Sequence, residues 1–453
     1  MRDRRWVLAA LLWSVAGGTA CGDDTVALLP EDSGTDHSVV ATDGTAPDAP
    51  SDGGTDVDSA VPPDSGDAAA IPPRLLLSYN GQTQSEVVAF GLQTKAVDGR
   101  YTFDDYLGGA YVGPTAPWVL EESTDVVGRL DPQTPWVVDS SWSVALSDLT
   151  DAGYAQPYSD PTAVVVGAGT TAYVFRYNRN LVAILDTSKN VDGGTPAGSI
   201  DLSSEIQTGG DGYVQPVAGV YVAAQQRVYA LLGNIDRFDV VDDGYDLLCT
   251  SSTPTIIAID TTSNSLVDLN GAAPGHGWPL VGYSPVFGPG AIAYDPLTSA
   301  DGGASGRLLV LEAGCYTATS DGGAGALVKR EIESIDLGTG QATELLDLTS
   351  SPFPTSLTYV DAHHAVVQLD TAYTWDPTTT TLGPAIPNAP EAFAWDGEGH
   401  LLGVSGVYGS DGGMTGYAVV SVAVADGGVT QLGSNPFLLT NGFVGGAALW
   451  PAP

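Results

Sequence analysis

One short unit recurs along this chain: an apolar run that ends at an acidic residue and is followed by turn-forming residues. Its copies occupy residues 129–134, 184–188, 258–262, 334–339 and 374–379, a degenerate copy 421–426, and a copy without the acid 89–94. They recur at intervals of roughly 40 to 75 residues, enough chain for four short strands each. No long stretch after residue 74 has helical periodicity. The sequence therefore predicts an all-β domain with seven blades arranged as a β-propeller.

The best-preserved copy lies in residues 172–190. It contains Tyr173-Val174, then Asn-Leu-Val-Ala-Ile-Leu-Asp at 180–186 and Thr-Ser-Lys-Asn at 187–190. This segment resembles the YVTN-type repeats of extracytoplasmic β-propellers, and the likeness extends to three or four of the blades. The resemblance implies a fold more than an activity.

The two ends of the repeat region are incomplete in complementary ways. The first copy is preceded by the strand-like run 74–79 with no inner strand before it, and residues 443–450 form an inner-strand pattern with nothing after it. Pairing of these two runs would complete the first blade and remove free sheet edges. A β-sandwich, or two smaller β domains, is the alternative arrangement of so many short strands.

The N-terminus reads as a secretory signal. Three arginines stand at its start: Arg2, Arg4 and Arg5. An apolar run at 6–16 and small residues at 17–20 lead to Cys21, an order typical of export signals. The sequence Gly-Thr-Ala-Cys resembles the lipobox of bacterial lipoproteins, although Gly18 stands where that family has a larger apolar residue. The resemblance implies a lipidated Cys21 and a protein anchored in the bacterial cell envelope, periplasmic or at the cell surface. The alternative is an ordinary cleaved signal.

Residues 22–72 contain no Lys, Arg, Phe, Trp or Tyr and carry twelve acidic residues. So little apolar surface does not offset the entropy lost on ordering, so we expect a disordered tether. The predicted organisation is a signal peptide at 1–20, Cys21 and a linker at 21–72, and a propeller at 73–453.

The net charge of −39, from 54 acidic and 15 basic residues, limits the partners of the chain. It excludes nucleic acid, whose phosphates require Lys and Arg, and it disfavours anionic lipid surfaces. A monomer that attracts cations weakly is the expected state.

Most long connections gather on one face of the predicted ring, with two exceptions on the other face at 187–197 and 297–305. If the strands of a blade are labelled A to D from the axis outward, the insertions at 233–253, 313–329 and 406–415 fall in B–C connections. The stretch 271–288 is a D–A connection on the same face. Because function on rigid β scaffolds tends to lie on loops, we take this as the binding face. Its candidate ligand residues are Tyr245, His276, Trp278, Tyr283, Phe287, Tyr316 and Tyr408. The alternative is that these aromatics form small cores within the loops.

Metal and catalytic signals are weak. The densest acidic cluster of the domain comprises Asp236, Asp239, Asp242, Asp243 and Asp246. Ca²⁺ is the cation that such a loop would take, but the spacing does not match the calcium-loop motif, and a solvated acidic loop is the default interpretation. His363 and His364 fall at a predicted A–B turn, where adjacent side chains point apart and chelate poorly. No catalytic residue and no cofactor is predicted.

Two cysteines remain if Cys21 carries lipid. An even remainder in an exported chain favours a disulfide between Cys249 and Cys315, whose loops rise on neighbouring blades. Two free thiols are the alternative.

Two classes of function stay open. The first is a lipoprotein whose propeller binds a glycan, a peptide or a protein partner. The second is a propeller enzyme, such as a hydrolase or lyase, acting at the axial mouth with a metal or carboxylates. The absence of a recognisable catalytic motif favours the first.

Lipidation of Cys21 can be tested directly. We expect mass spectrometry of the membrane-extracted protein to find an acylated Cys21 at the mature N-terminus, and Cys21→Ser to release the protein from the membrane fraction. A soluble mature protein that begins at another residue contradicts this expectation.

Overall fold

The computed structural model describes residues 70–81, 84–103, 106–150, 158–207, 211–235, 240–241, 246–249, 253–271, 275–283, 285–296, 306–320, 323–410, 414–433 and 442–452. Its strands form seven antiparallel sheets arranged as the blades of a propeller, which confirms the predicted all-β architecture. Cys21 and nearly all of the predicted linker lie outside the described residues. Within these ranges no helix is long and apolar enough to span a bilayer.

Strands are numbered in chain order. Blades one to three contain β1 Arg74–Gly81, β2 Ser85–Gly91, β3 Ala96–Phe103, β4 Leu107–Val112, β5 Pro117–Glu121, β6 Val126–Leu130, β7 Val138–Ser143, β8 Pro161–Val166, β9 Thr171–Arg176, β10 Leu181–Asp186 and β11 Gly198–Asp201. Blades four and five contain β12 Pro216–Val222, β13 Arg227–Leu232, β16 Thr255–Asp260, β17 Ser265–Val267, β18 Trp278–Pro279, β19 Ile292–Asp295, β20 Arg307–Leu311, β23 Glu331–Asp336 and β24 Ala342–Asp347. Their B–C connections form two separate two-stranded sheets, β14 Val240–Val241 with β15 Asp246–Leu247 and β21 Cys315–Ala318 with β22 Ala324–Val328.

Blades six and seven contain β25 Ser356–Asp361, β26 His364–Gln368, β27 Ala372–Trp375, β28 Leu382–Ala385, β29 Ala392–Trp395, β30 His400–Tyr408, β31 Met414–Ala423 and β32 Val429–Gln431. The last strand, β33 Gly442–Trp450, belongs to blade one. Four short 3₁₀ helices lie in connections: Ser147–Thr150, Ser203–Glu205, Ala223–Gln225 and Pro289–Ala291.

Blade one closes the ring. Its order is β3-β2-β1-β33, with β33 antiparallel to β1 and Arg74 opposite Trp450. The innermost strands, β33, β4, β8, β12, β19, β25 and β29, contact one another in succession around the axis. Trp450 is 3% exposed, and its indole nitrogen donates to the carbonyl of Pro132 in blade two at 2.8 Å. The C-terminal strand therefore completes the first blade, as the sequence predicted, and it is also fixed to the next one.

Burial explains why the strands differ in composition. Middle strands such as β10, with the sequence LVAILD, are buried through Val182–Leu185 because neighbouring blades cover both faces of the sheet. Outer strands such as β3, with the sequence AVDGRYTF, are mostly exposed. The core is thus formed where blades stack, and not along the axis alone.

The acid of the repeated unit shapes a turn. Each copy lies on a C strand, and its aspartate follows or ends that strand on the face opposite the B–C connections. Asp336 accepts hydrogen bonds from the backbone nitrogens of Gly338 (2.9 Å) and Thr339 (2.7 Å), and Asp260 accepts from Thr262 and Ser263. These are Asx turns, so the residue that revealed the repeat serves the C–D connection and not a reaction.

Removal of β33 tests the closure. Deleting residues 443–453 bares the inner edge of β1 and removes the Trp450 contact, so we expect aggregation or loss of cooperative unfolding. Trp450→Ala alone should lower the free energy of unfolding by about 3–5 kcal/mol. Deleting residues 22–69 is the control, because it stops before Ile71, which packs beside Trp450, and it should leave stability nearly unchanged. A monomeric 443–453 deletion with an unaltered melting temperature contradicts the closure.

Candidate functional site

Most of the long connections lie on one face, as the sequence predicted, whereas the C–D connection 187–197 of blade three lies on the other, which the sequence also indicated. In blade four the B–C connection 233–254 carries β14 and β15, and in blade five the connection 312–330 carries the hairpin β21–β22. The D–A connection 268–291 leaves from the same ends of the blades. In blade seven, β30 and β31 continue beyond their sheet. We call this side of the ring the elaborated face.

A disulfide ties the two largest loops together. Cys249 and Cys315 are bonded, with their Cα atoms 5.2 Å apart, which confirms the predicted pair. Beside the bond, the backbone nitrogen of Cys249 donates to the carbonyl of Tyr316 at 3.0 Å, and Leu248 forms a parallel bridge with Tyr316. The insertion of blade four is thus fastened covalently and by backbone pairing to the hairpin of blade five.

Three glutamates are buried at the base of that hairpin. Glu312 follows β20, and Glu331 and Glu333 lie on β23; their exposed fractions are 0%, 4% and 0%. The nitrogen of Glu312 donates to the carbonyl of Glu331 at 2.9 Å, and Glu333 is paired with Val310. Because directly paired residues and residues two apart project to the same side of a sheet, the three side chains share one side of blade five.

Most of these carboxyl oxygens have no hydrogen-bond partner among the described residues. Oε2 of Glu333 accepts from the backbone nitrogens of Val281 and Gly282, each at 2.8 Å. The other oxygen of Glu333, one oxygen of Glu331 and both oxygens of Glu312 are buried without a partner. A buried carboxylate without donors is unfavourable, so this cluster is a site where charge is suppressed.

The segment that encloses the glutamates is the D–A connection between blades four and five. We call residues 280–283 and 285–287 the covering segment. Its Pro285 forms an antiparallel bridge with Glu312, and the carbonyl of Tyr283 accepts from the nitrogen of Gly314 at 2.8 Å. At Gly282, a Cβ atom would lie 2.4 Å from Cγ of Glu312. Only glycine therefore allows the segment to lie so closely on the Glu312 side chain.

Burial governs the titration of the cluster. Desolvation, followed by the charges of Glu333 and Glu331, raises the pKa of Glu312 well above its usual value. The pKa of Glu331 is raised to about 7, first by burial and then by Glu333, Glu344 and Asp347. Burial also raises the pKa of Glu333, against the opposing effect of its two backbone hydrogen bonds. All three carboxyls thus hold protons at a higher pH than solvated glutamates do.

The second feature of the elaborated face is the end of the blade-seven ribbon. Strand β30 pairs with β29 only as far as Val404, so the chain beyond it projects as two strands whose last pair is Tyr408 and Met414. These side chains are 63% and 42% exposed. A Cβ atom on Gly406 would lie 3.1 Å from each of them and 2.9 Å from Oε1 of Glu391, which accepts from the nitrogen of Gly406 at 2.9 Å. We call these four residues, Glu391, Gly406, Tyr408 and Met414, the blade-seven tip.

Two of the predicted ligand residues, His276 and Trp278, hold loops in place. His276 contacts the buried Glu205 through Nδ1 at 2.9 Å, and the same carboxylate accepts from the backbone nitrogens of His276 and Gly277. Trp278 is 9% exposed, stacks on Tyr229 with ring centroids 6.3 Å apart, and donates to the carbonyl of Leu269.

Tyr283 and Phe287 also lie against protein. Tyr283 is 3% exposed and has the amino group of Lys329 5.8 Å from its ring centroid. Phe287 meets Tyr177 edge-on at 5.0 Å. Together with Trp278, these rings have the arrangement expected if the loops form their own small cores.

The predicted metal cluster lies largely outside the described residues. Asp236, Asp239, Asp242, Asp243 and Tyr245 fall there, and only the strand position of Asp246 is described. In the part of the chain that the structure describes, no group of three or more His, Cys, Asp or Glu side chains is arranged to hold a metal ion. The Ca²⁺ site stays a prediction.

The opposite face has its own clefts. One, of about 410 Å³, is lined by Arg74, Asp98 and Trp136, and another, of about 360 Å³, by Tyr359 and the turn at 361–364. His363 and His364 lie at this A–B turn, as predicted, and Nδ1 of His364 is 2.8 Å from Oδ1 of Asp361. Both clefts are shallow, and the hydrogen bonds of the turn are satisfied within it.

Comparison with known proteins identifies no family for this chain. No family model matches the chain, and no curated protein matches its sequence. Among solved structures, dihydro-heme d1 dehydrogenase NirN is similar at 13% identity and a TM-score of 0.46, over 80% of this chain and 73% of that one. Hydrazine synthase of Kuenenia stuttgartiensis has 13% identity and a TM-score of 0.45, over 78% and 90%. AztD of Citrobacter koseri has 11% identity and a TM-score of 0.40, over 82% and 84%.

The local sequence around the three glutamates does not indicate that they are buried. The order Glu331-Ile332-Glu333 alternates like a strand with one solvated face, and Glu312 looks like the polar end of β20. What buries them is the covering segment, an irregular stretch whose course no local pattern announces. The close approach of Gly282 is the one available signal, and it is not specific.

The disulfide gives a stability prediction. It joins residues 66 apart in the chain, for which the chain-entropy model gives roughly 4 kcal/mol. We expect the Cys249→Ser, Cys315→Ser double variant to have a free energy of unfolding that is lower by up to that amount. Its unfolding midpoint in denaturant should fall accordingly, while its far-UV spectrum stays the same. Reductant should shift the natural protein similarly and leave the double variant unchanged. Alkylation of both cysteines in the native, unreduced protein contradicts the bond.

Proposed function

We propose that this protein is an envelope-anchored lipoprotein whose propeller is a binding module, and that it captures an exposed segment of a protein or peptide partner at the elaborated face. The observation that carries the proposal is the blade-seven tip, where an exposed tyrosine and an exposed methionine lie side by side next to a carboxylate. The anchor is inferred from the N-terminal sequence alone.

The chemistry of the tip suits such a partner. Tyrosine offers a large, rigid contact surface at a small entropy loss, and methionine adapts to irregular apolar shapes. Tyr408 has the largest exposed fraction of any large hydrophobic side chain in the described ranges. Glu391, also exposed, adds a negative group at the edge of this apolar pair. The combination favours a segment that presents an apolar side chain beside a basic one.

The charge of the chain supports the same choice. A net charge of −39 speeds the encounter with a basic partner and discourages acidic ones. Glycans stack on aromatic rings too, so a sugar ligand is the alternative occupant of the tip.

The enzyme alternative has less support from the geometry. Glu331, with a pKa of about 7, has the titration that suits general acid–base catalysis. Its side chain is nevertheless 4% exposed and lies with Glu312 and Glu333 beneath the covering segment. A substrate at the axial mouth does not reach these carboxyls in this arrangement.

The binding proposal is tested with arrays followed by matched variants. The full chain is applied to peptide and glycan arrays, and the affinity of the best binder is measured by calorimetry. We expect the Tyr408→Ser, Met414→Ser double variant to bind at least tenfold more weakly, about 1.4 kcal/mol. Tyr101→Ser is the control, because Tyr101 is a 38% exposed tyrosine on an outer strand of blade one.

Glu391→Gln separates the polar contribution from the apolar one. It should weaken basic peptides and flatten the dependence of their affinity on salt, while neutral peptides are unaffected. If only glycans bind on the arrays, the peptide proposal is wrong and the tip is a sugar-binding site. Binding that survives the double variant intact means that the tip is not the contact surface.

A further inference from the structure

We propose that Glu312, Glu331 and Glu333 form a proton-held latch: while they carry protons, the covering segment stays closed on blade five, and loss of those protons releases it. The latch is independent of the ligand proposed above and adds a control by acidity to the elaborated face. It rests on the buried cluster, its unpartnered oxygens and the segment that closes over them.

One described cation acts on the cluster: Lys329 lowers the pKa values of Glu312 and Glu331, but the effect of burial outweighs it. The nearest basic residues are Lys329 and Arg330. The amino group of Lys329 lies over the ring of Tyr283, and the guanidinium of Arg330 donates to the carbonyls of Ala313 and Ser351 at 2.8 Å each. The charged groups on β24 that act on Glu331 are Glu344 and Asp347, which are acidic. Protons are therefore the means by which the cluster stays uncharged when the segment is closed.

The covering segment is the part of the enclosure that can yield. Glu331 and Glu333 lie on β23 and Glu312 directly follows β20, and these two strands are paired along their length in blade five. The segment, in contrast, is not a strand of any blade sheet. It is held by the carboxyl of Glu333 on Val281 and Gly282, by the bridge at Pro285, and by single backbone bonds. The buried side chains of Leu280, Tyr283 and Val286 add apolar contacts. An ionised Glu312 is stabilised most readily by admitting water, and the segment directly above it is what must move.

The sign of the pH dependence follows from linkage. When the covering segment is open, the carboxyls are in contact with water and return to a pKa near 4.5. When the segment is closed, they keep their protons to higher pH. The closed state is therefore favoured fully below about pH 4.5 and loses ground as the pH rises. For Glu331 the loss is complete near pH 7. Glu312 contributes in the same direction, because burial raises its pKa as well. In this pH window, the equilibrium constant for opening of the covering segment, which we call the opening constant, rises about tenfold per pH unit for each carboxyl that ionises on opening.

Opening would also loosen the loops beside the segment. The carbonyl of Tyr283 holds Gly314, which directly precedes the disulfide residue Cys315. Release of the segment thus removes a support of the hairpin β21–β22 on the elaborated face, while the disulfide keeps that hairpin attached to blade four.

Hydrogen exchange measures the opening. Exchange of peptides covering 280–288 is followed by mass spectrometry from pH 5 to pH 8 in the full chain, and rates are corrected for the intrinsic pH dependence of amide exchange. We expect the opening constant of the natural protein to rise with pH. In Glu312→Gln, the factor by which it rises per pH unit should be about tenfold smaller, because one carboxyl no longer ionises. Glu331→Gln should do the same below pH 7. The control Glu398→Gln, on an exposed turn of blade seven, should keep the natural slope.

Two results overturn the latch. The first is an equal slope in the natural protein and in both glutamine variants. The second is full protection of 280–288 at pH 8 on adding CaCl₂ to the natural protein but not to Glu312→Gln, which means that a cation and not protons neutralises the cluster. If Glu312→Gln folds poorly, the slope of Glu331→Gln decides.

Discussion

The antiparallel pairing of β33 with β1 is the constraint on which the rest of the structure depends. Each other blade is continuous in the chain, so its strands can find one another locally. Blade one needs strands from the two ends of the domain, with Arg74 opposite Trp450, before the seven inner strands can form a ring. Because blades bury their surfaces against their neighbours, the blades on either side of the closure are not fully covered until this pairing forms.

Once the ring has formed, the position of the elaborated face follows from which connections of the blades carry insertions. The antiparallel order sends every B–C and D–A connection to the same side, so the insertions of blades four, five and seven gather there without being adjacent in sequence. The disulfide and the covering segment then join blades four and five, while the blade-seven ribbon is held only by its own pairing and by Glu391. The loops of blades four and five are therefore cross-linked to each other, whereas the blade-seven ribbon projects without such a link in the described residues.

The sequence was informative where a local interaction recurs and uninformative where burial is set by distant chain. The repeated unit could be found because its aspartates cap turns, and together with the acid-free copy at 89–94 it marks the seven C strands. Cys249 and Cys315 could be paired because their loops lie on neighbouring blades. Trp278 was expected at a surface, but its indole packs on Tyr229 from a glycine-rich loop whose path no periodicity fixes. Glu312 and Glu331 look like solvated strand residues until the covering segment is known.

The direction of the strands in blade one has a further consequence. Strand β1 begins, and β33 ends, at the edge of the sheet that carries the A–B and C–D turns, since Arg74 and Trp450 are partners there. Both ends of the domain thus leave the ring on the side away from the long loops. A group fused directly before Arg74 or after Trp450 would therefore start from the side that carries the A–B and C–D turns, and not from the elaborated face.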